Sequence, residues 1–319
     1  MLADQLPSEV LCAAERIAPF IRRTPLDCSW RFSNDTGANV YLKLENLQFT
    51  GSFKARGAYN KLLSLTDDQR SAGCVVASSG NHGAAAAHAM AKLGVQGLVF
   101  VPEQTSSTKV SAIRESGTEV RFFGSDGLDT EIHARNYAEQ HRMQYISPYN
   151  DVDVIAGQGT CGVEIAAQLS SLDAVFIAVG GGGLISGVGA YLKSVHPDIS
   201  IVACQPEASP VMTRSVQAGR LLELPGEPTL SDGTAGGIEA GALTFELCRE
   251  IADDYVLVSE QQIAEAMRRF MDAHHMLAEG AAGVALAGLI EKAGAFRDGN
   301  VAVIVCGGNV SRDTLKTVI

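Results

Sequence analysis

The sequence predicts an α/β protein. Three observations support that class. Short apolar runs rich in β-branched residues recur along the chain, stretches of helical spacing separate them, and glycines gather where several of the runs end. Continuous apolar runs suit strands buried on both faces, as in parallel sheets, and their alternation with helices implies right-handed crossovers.

Taken in order, the first predicted strand is "CVVAS" (74–78), followed by a helical pattern over 81–94. "GLVFV" (97–101) leads to a helix over 107–116, and "EVRFF" (119–123) to one over 128–142. A helix over 160–171 precedes "AVFIAV" (174–179), which leads to a helix over 184–195 and then "SIVAC" (200–204). "YVLVS" (255–259) ends on Ser259, which with Gln262 reads as a capping box opening a helix over 260–274. A last helix over 280–293 precedes "VAVIVC" (301–306). Three strands and their helices fall within residues 72–148 and read as a small lobe inserted into a larger one. The expected division is 1–70 plus 149–319 for the large lobe and 71–148 for the small lobe.

Composition narrows the function classes. The 319 residues carry a net charge of −11, with 46% hydrophobic and 19% charged residues. Such an acidic chain has no electrostatic reason to bind nucleic acid or an anionic membrane. No apolar run reaches the roughly 18 residues of a membrane span, and the polar start "MLADQLPSEV" lacks the features of a secretory signal. The seven cysteines are scattered without a C-x-x-C pair, which fits a reducing cytoplasm.

Three glycine clusters carry chemical information. "SSGNHGAAAAHA" (78–89) follows a predicted strand and opens a helix, where bare N–H groups and the helix dipole favour an anion. A plain strand-to-helix turn is the alternative. "VGGGGLISG" (179–187) leaves successive amides bare, which suits a phosphate. The dinucleotide spacing G-x-G-x-x-G fails there because Ile185 and Ser186 stand where glycine is needed, and no P-loop lysine follows. A nicotinamide-dependent oxidoreductase is therefore disfavoured. "VCGGNV" (305–310) places Cys306 at a strand end, as a site thiol or an ordinary buried cysteine. Earlier in the chain, Lys54 lies in "FTGSFKARGA" (49–58), either a solvated charge or a nucleophile. The four features converge only if one crevice holds a phosphorylated, carbonyl-bearing cofactor.

In order and spacing, "SFKARGA" (52–58), "SSGNHGAA" (78–85), "GQGT" (157–160), "VGGGGLISG" (179–187), "EGAAG" (279–283) and "CGGNV" (306–310) resemble the threonine/serine dehydratase and serine racemase family of pyridoxal phosphate (PLP) enzymes. The match covers essentially the whole chain. It implies the fold type II architecture: two open α/β lobes, each with a mainly parallel twisted sheet, and the cofactor in the cleft between them.

The resemblance also implies roles. Lys54 would form the Schiff base with PLP and later act as base. Phe53 would pack on the cofactor ring, and Asn81 would bond its hydroxyl. Gly180, Gly181, Gly182, Gly183 and Leu184 would hold the phosphate. Cys306 would face the pyridine nitrogen, with Gly233 and Glu279 beside the cofactor. Ser78, Ser79, Asn81 and His82 would clasp the substrate carboxylate, and Ser79 stands at the second base of the racemase branch.

The expected reaction is dehydration of a 3-hydroxy amino acid, such as L-threonine or L-serine, or 3-hydroxyaspartate or a bulkier analogue, to a 2-oxo acid and ammonia. Amino-acid racemisation is the alternative. The racemase branch carries a divalent-cation site after the strand matching "SIVAC". Here Gln205 replaces an acid and only Glu207 follows, so no metal of that kind is expected. The family also implies a homodimer. "SPYNDVDVIAGQGT" (147–160) is the expected discriminating stretch, with Tyr149 and Asn150 as polar selectors or plain loop residues.

Overall fold

A computed structural model describes residues 2–319. The chain runs through α1 (Leu2–Ile17), β1 (Leu26–Cys28), α2 (Trp30–Thr36), β2 (Asn39–Leu44), α3 (Lys54–Ser64), α4 (Asp67–Ala72), β3 (Cys74–Ala77) and α5 (Asn81–Leu93). It continues through β4 (Gly97–Val101), α6 (Ser107–Arg114), β5 (Glu119–Phe122), α7 (Gly127–Gln140), β6 (Gln144–Tyr145), α8 (Val152–Gln168), β7 (Ala174–Ala178) and α9 (Gly183–Val195). It ends with β8 (Ser200–Pro206), α10 (Val211–Ala218), α11 (Leu243–Ile251), β9 (Asp254–Val258), α12 (Glu260–His274), α13 (Gly280–Glu291), β10 (Asn300–Val305) and α14 (Arg312–Val318).

The strands form two sheets. One has the order β1-β2-β10-β7-β8-β9 and the other β5-β4-β3-β6. Every pairing is parallel except β1 with β2. The seven runs expected as strands from their apolar character are β3, β4, β5, β7, β8, β9 and β10. The capping box at Ser259 and Gln262 is present. The helix expected over 160–171 instead spans Val152–Gln168, because its glycines serve close packing rather than ending it. A Cβ on Gly157 would lie 2.6 Å from the Cα of Gly57 in α3, and one on Gly187 in α9 would lie 2.2 Å from the Ile155 carbonyl oxygen. Hydrogen at these positions lets α3 and α9 press on α8 backbone to backbone.

The core of the larger sheet includes Phe176, Val202, Leu286 and Val303. A second core joins Val76, Val99 and Ala86 to Ala55, Ala58 and Leu62 of α3, so α3 packs against α5, which covers the smaller sheet, as well as against α8. Beneath the first turn of α3 lies a buried ionic cluster. Arg56 donates twice to Glu45, at 2.7 Å each, and once to Glu164 at 2.8 Å. Lys43 donates to the other oxygen of Glu164 at 2.6 Å. Balanced charge and multiple hydrogen bonds offset the cost of burying these groups.

All seven cysteines are free thiols. Among the described residues, no helix is long and apolar enough to cross a membrane.

Candidate active site

Lys54 is the first residue of α3, and its position is fixed by stitching between distant segments. Ser52 pairs with Gly307 as an isolated antiparallel bridge. The Phe53 N–H donates to the Cys306 carbonyl at 3.0 Å, and the Gly308 N–H to the Gly51 carbonyl at 2.9 Å. The Lys54 ammonium donates to the Pro148 carbonyl at 2.7 Å and lies 5.2 Å from the centre of the Phe53 ring. Burial lowers its pKa to about 8, against the opposing pull of Cys306 and Glu279. A buried ammonium loses hydration, so the neutral, nucleophilic amine becomes accessible near physiological pH.

Glu279 stands just before α13 and is 5% exposed. The Asn81 amide donates to both of its oxygens at 2.9 Å, and Asn309 donates its N–H to Oε2 at 3.3 Å. Burial nevertheless raises the carboxyl pKa to about 7. The Cys306 thiol makes a weak contact with Glu279 Oε1 at 3.9 Å, and burial holds it well above its ordinary range, so it is present as S–H. Asn309 also donates its side-chain amide to the Thr50 carbonyl and to Oδ1 of Asn81.

Among the helices without a side-chain cap are α3, α5, α9 and α13, whose starts carry the residues above or the glycine loop. α5 begins at Asn81 after Gly80, and α9 begins at Gly183 after Gly182. By contrast α2, α4, α7, α8, α12 and α14 are capped by Ser29, Thr66, Asp126, Asp151, Ser259 and Ser311. Uncapped first-turn N–H groups are anion sites. Gly182 has φ 87°, a left-handed turn that suits glycine. In the α5 loop, the Ser78 hydroxyl accepts from the Gly80 N–H at 3.2 Å, and Ser79 is half-buried. The His82 ring is turned inward, with Nε2 2.9 Å from the Ile146 carbonyl oxygen, and burial lowers its pKa to about 3. His82 is thus neutral, and what it brings to the loop is its backbone N–H in the first turn of α5.

The segment after β6 links these parts. Tyr149 lies on the glycine loop, since a Cβ on Gly181 would come 2.4 Å from its ring and one on Gly183 would come 3.1 Å from its Cα. Its hydroxyl accepts from the Glu239 N–H at 2.9 Å, and Asn150 Oδ1 accepts from the Leu243 N–H at 2.8 Å. Both side chains therefore anchor the stretch before α11. A Cβ on Gly180 would lie 3.0 Å from the Cα of Thr234, and one on Gly233 would lie 3.7 Å from Glu279 Oε1. Lys54, Phe53, Asn81, Glu279 and Cys306 are thus drawn together, and the segment Pro148–Tyr149 links them to the glycine loop before α9. Sequence reasoning missed Pro148, Asn309 and Arg56; only the proline beside Tyr149 hinted at a special turn.

The residues present fit PLP. A near-neutral lysine amine flanked by an aromatic ring, a run of side-chain-free amides for a dianionic phosphate, and a neutral thiol at a strand end are the required donor set. On the metal side, Gln205 is buried, and its Oε1 accepts from the Thr213 N–H and hydroxyl at 2.7 Å each. Among the described residues, no three His, Cys, Asp or Glu side chains are placed to hold a metal ion.

Comparison with known proteins gives the family. The family model described as pyridoxal-phosphate dependent enzyme matches residues 17–307. The chain is 38% identical to an L-threonine ammonia-lyase of Thermotoga maritima, over 94% of this chain and 74% of that one. It is 39% identical to an L-threo-3-hydroxyaspartate ammonia-lyase of Pseudomonas sp, over 98% and 97%. The processed form of threonine deaminase isoform 2 from Solanum lycopersicum superposes with a TM-score of 0.94 at 33% identity, covering 99% of this chain and 92% of that one. The chain belongs to the threonine/serine dehydratase and serine racemase family of fold type II enzymes, and pyridoxal phosphate is its cofactor.

Proposed function

We propose that this chain is an ammonia-lyase that removes water from a 3-hydroxy amino acid, giving a 2-oxo acid and ammonia. The observation that carries the reading is the position of the buried Lys54 amine, held at the Pro148 carbonyl next to Tyr149, which packs on the glycine loop that opens α9. The uncapped start of α9 suits a cofactor phosphate and that of α5 a substrate carboxylate.

Pyridoxal phosphate, when bound, supplies an electron sink next to the substrate Cα. Gly180, Gly181, Gly182, Gly183 and Leu184 would hold its phosphate, Phe53 and Asn81 would contact its ring, and Gly233, Glu279 and Cys306 would lie beside it. The α5 loop, through Ser78, Ser79, Asn81 and His82, orients the substrate carboxylate. Lys54 would anchor the cofactor, and its amine, which loses its proton as pH passes about 8, would take the Cα proton. The lobe division 1–70 plus 149–319 and 71–148, a homodimer and a cytoplasmic setting complete the proposal. The seven free thiols support the last.

The test is release of 2-oxo acid from a panel of 3-hydroxy amino acids, with D-enantiomer formation followed in parallel. Lys54→Ala is expected to abolish both the cofactor's visible absorbance on the protein and the turnover. Retention of both would sink the reading.

A further inference from the structure

Residues 307–309, just beyond β10, are zipped to residues 50–52. Ser52 bridges Gly307, the Gly308 N–H reaches the Gly51 carbonyl at 2.9 Å, and the Asn309 side-chain amide reaches the Thr50 carbonyl at 2.7 Å. The same amide nitrogen donates to Asn81 Oδ1 at 2.8 Å. Thr50 and Gly51 both have a left-handed backbone, with φ 58° and 72°. That conformation is costly for threonine, and a Cβ on Gly51 would lie 2.7 Å from Asn309 Oδ1. Two consecutive left-handed residues thus offer Asn309 a carbonyl and leave room for its amide.

These contacts fix which way two amides point. A main-chain carbonyl only accepts, so the Asn309 atom facing Thr50 is its NH2. The second N–H of that group meets Asn81, so the Asn81 atom there is Oδ1. The Asn81 NH2 is left on the other side, where it donates to both Glu279 oxygens. Glu279 alone does not fix this polarity. Burial raises its carboxyl to about 7, and a protonated carboxyl both donates and accepts, so it tolerates either end of an amide.

We propose that Asn309 is a positioning residue that locks the Asn81 amide so that its NH2, and not its oxygen, serves the cofactor ring. The inference rests on the reading above that Asn81 contacts that ring. A donor at the ring oxygen favours its ionised form over its protonated form.

The experiment uses the holoenzyme without substrate. The readout is the ratio of the visible cofactor band, from the ionised ring oxygen, to the ultraviolet band, from the protonated one. Asn309→Asp keeps the shape but puts an acceptor where the donor was, which draws the Asn81 NH2 away from the ring. The ratio is expected to fall at least about fivefold, the worth of one ordinary hydrogen bond. Asn309→Ala removes the donor alone and is expected to lower the ratio less. Phe270→Leu, a change in the buried core of the large sheet, is expected to lower the melting temperature without moving the ratio. In an Asn81→Ala background, Asn309→Asp is expected to have no further effect. A cofactor-loaded Asn309→Asp with the wild-type ratio, or an equal fall in the Asn81→Ala background, overturns the lock. Should neither Asn309 variant fold, side-chain amide NMR of the wild type decides. Both Asn309 side-chain hydrogens are expected to exchange slowly with water although the residue is exposed, and fast exchange overturns the lock. Asn81→Ala with the wild-type ratio overturns instead the placement of Asn81 on the ring. None of these measurements needs turnover, so absence of 2-oxo acid from every 3-hydroxy amino acid overturns the dehydratase reading separately.

Discussion

Asn81 holds both carboxyl oxygens of Glu279 with one amide nitrogen, at 2.9 Å each, yet the acid titrates near pH 7. Burial outweighs the hydrogen bonds. A carboxyl raised from 4.5 to about 7 keeps its proton in the fold after the unfolded chain has released it. The folded state then binds more protons across that window, so this group makes stability fall as pH rises through it. The expected size is about 3 kcal/mol. In urea unfolding of the apoprotein, the wild type should lose that much relative to Glu279→Gln between pH 4.5 and about 7. A difference that stays flat across the window would refute the assignment.

Lys54 behaves in the opposite sense. Burial lowers its pKa from 10.5 to about 8, with Cys306 and Glu279 pulling the other way. Its amine should become reactive in the apoprotein as pH passes about 8. Labelling by formaldehyde and cyanoborohydride, quantified at Lys54 by mass spectrometry, should show that midpoint. Glu279→Gln should move it lower. A midpoint at the ordinary lysine value would contradict the burial argument.

The Tyr149 ring occupies the space a side chain on Gly181 would need. Gly181→Ala should therefore cost about 1–3 kcal/mol through overpacking and weaken cofactor binding at least about tenfold. In a Tyr149→Ala background the stability cost should shrink, giving a clear coupling in a double-mutant cycle. Thermal unfolding and cofactor titration measure both, and additive effects would show that the ring and the loop are independent.

Arg56→Met leaves Glu45 buried without its double donor. Removing one partner of a buried pair typically costs about 3–5 kcal/mol, more than replacing both. The pair Arg56→Met with Glu45→Leu should thus be less destabilised than Arg56→Met alone plus Glu45→Leu alone. Urea midpoints of the four proteins decide it.

How far the fold could be read in advance depended on how plainly each segment showed its environment. Strands such as β7 and β10 are apolar throughout, and both faces are buried. β2 escaped notice because "NVYLKL" contains Lys43, which is fully buried only because Glu164, far along the chain, neutralises it. β1 and β6 are too short to show a pattern. The first half of α8 was hidden by Gly157 and Gly159, whose purpose lies in the neighbouring helices. At the site, Lys54 and the glycine loops were legible because local backbone chemistry marks them. The contacts Tyr149–Gly181 and Arg135–Glu239 join residues that no local pattern connects.

The place of β10 in the large sheet has a consequence for biosynthesis. It lies between β2 and β7, and the residues just beyond it clasp Ser52, Phe53 and Gly51. A ribosome delivers it after every other strand of that sheet. Until then β1 and β2 form a two-stranded ribbon with an open edge, β7 lacks a neighbour on one side, and the turn carrying Lys54 lacks its bonds to residues 306–308. The nascent chain therefore cannot complete the surroundings of Lys54 before β10 and the residues after it have emerged, and it exposes unpaired strand edges to chaperones while it waits.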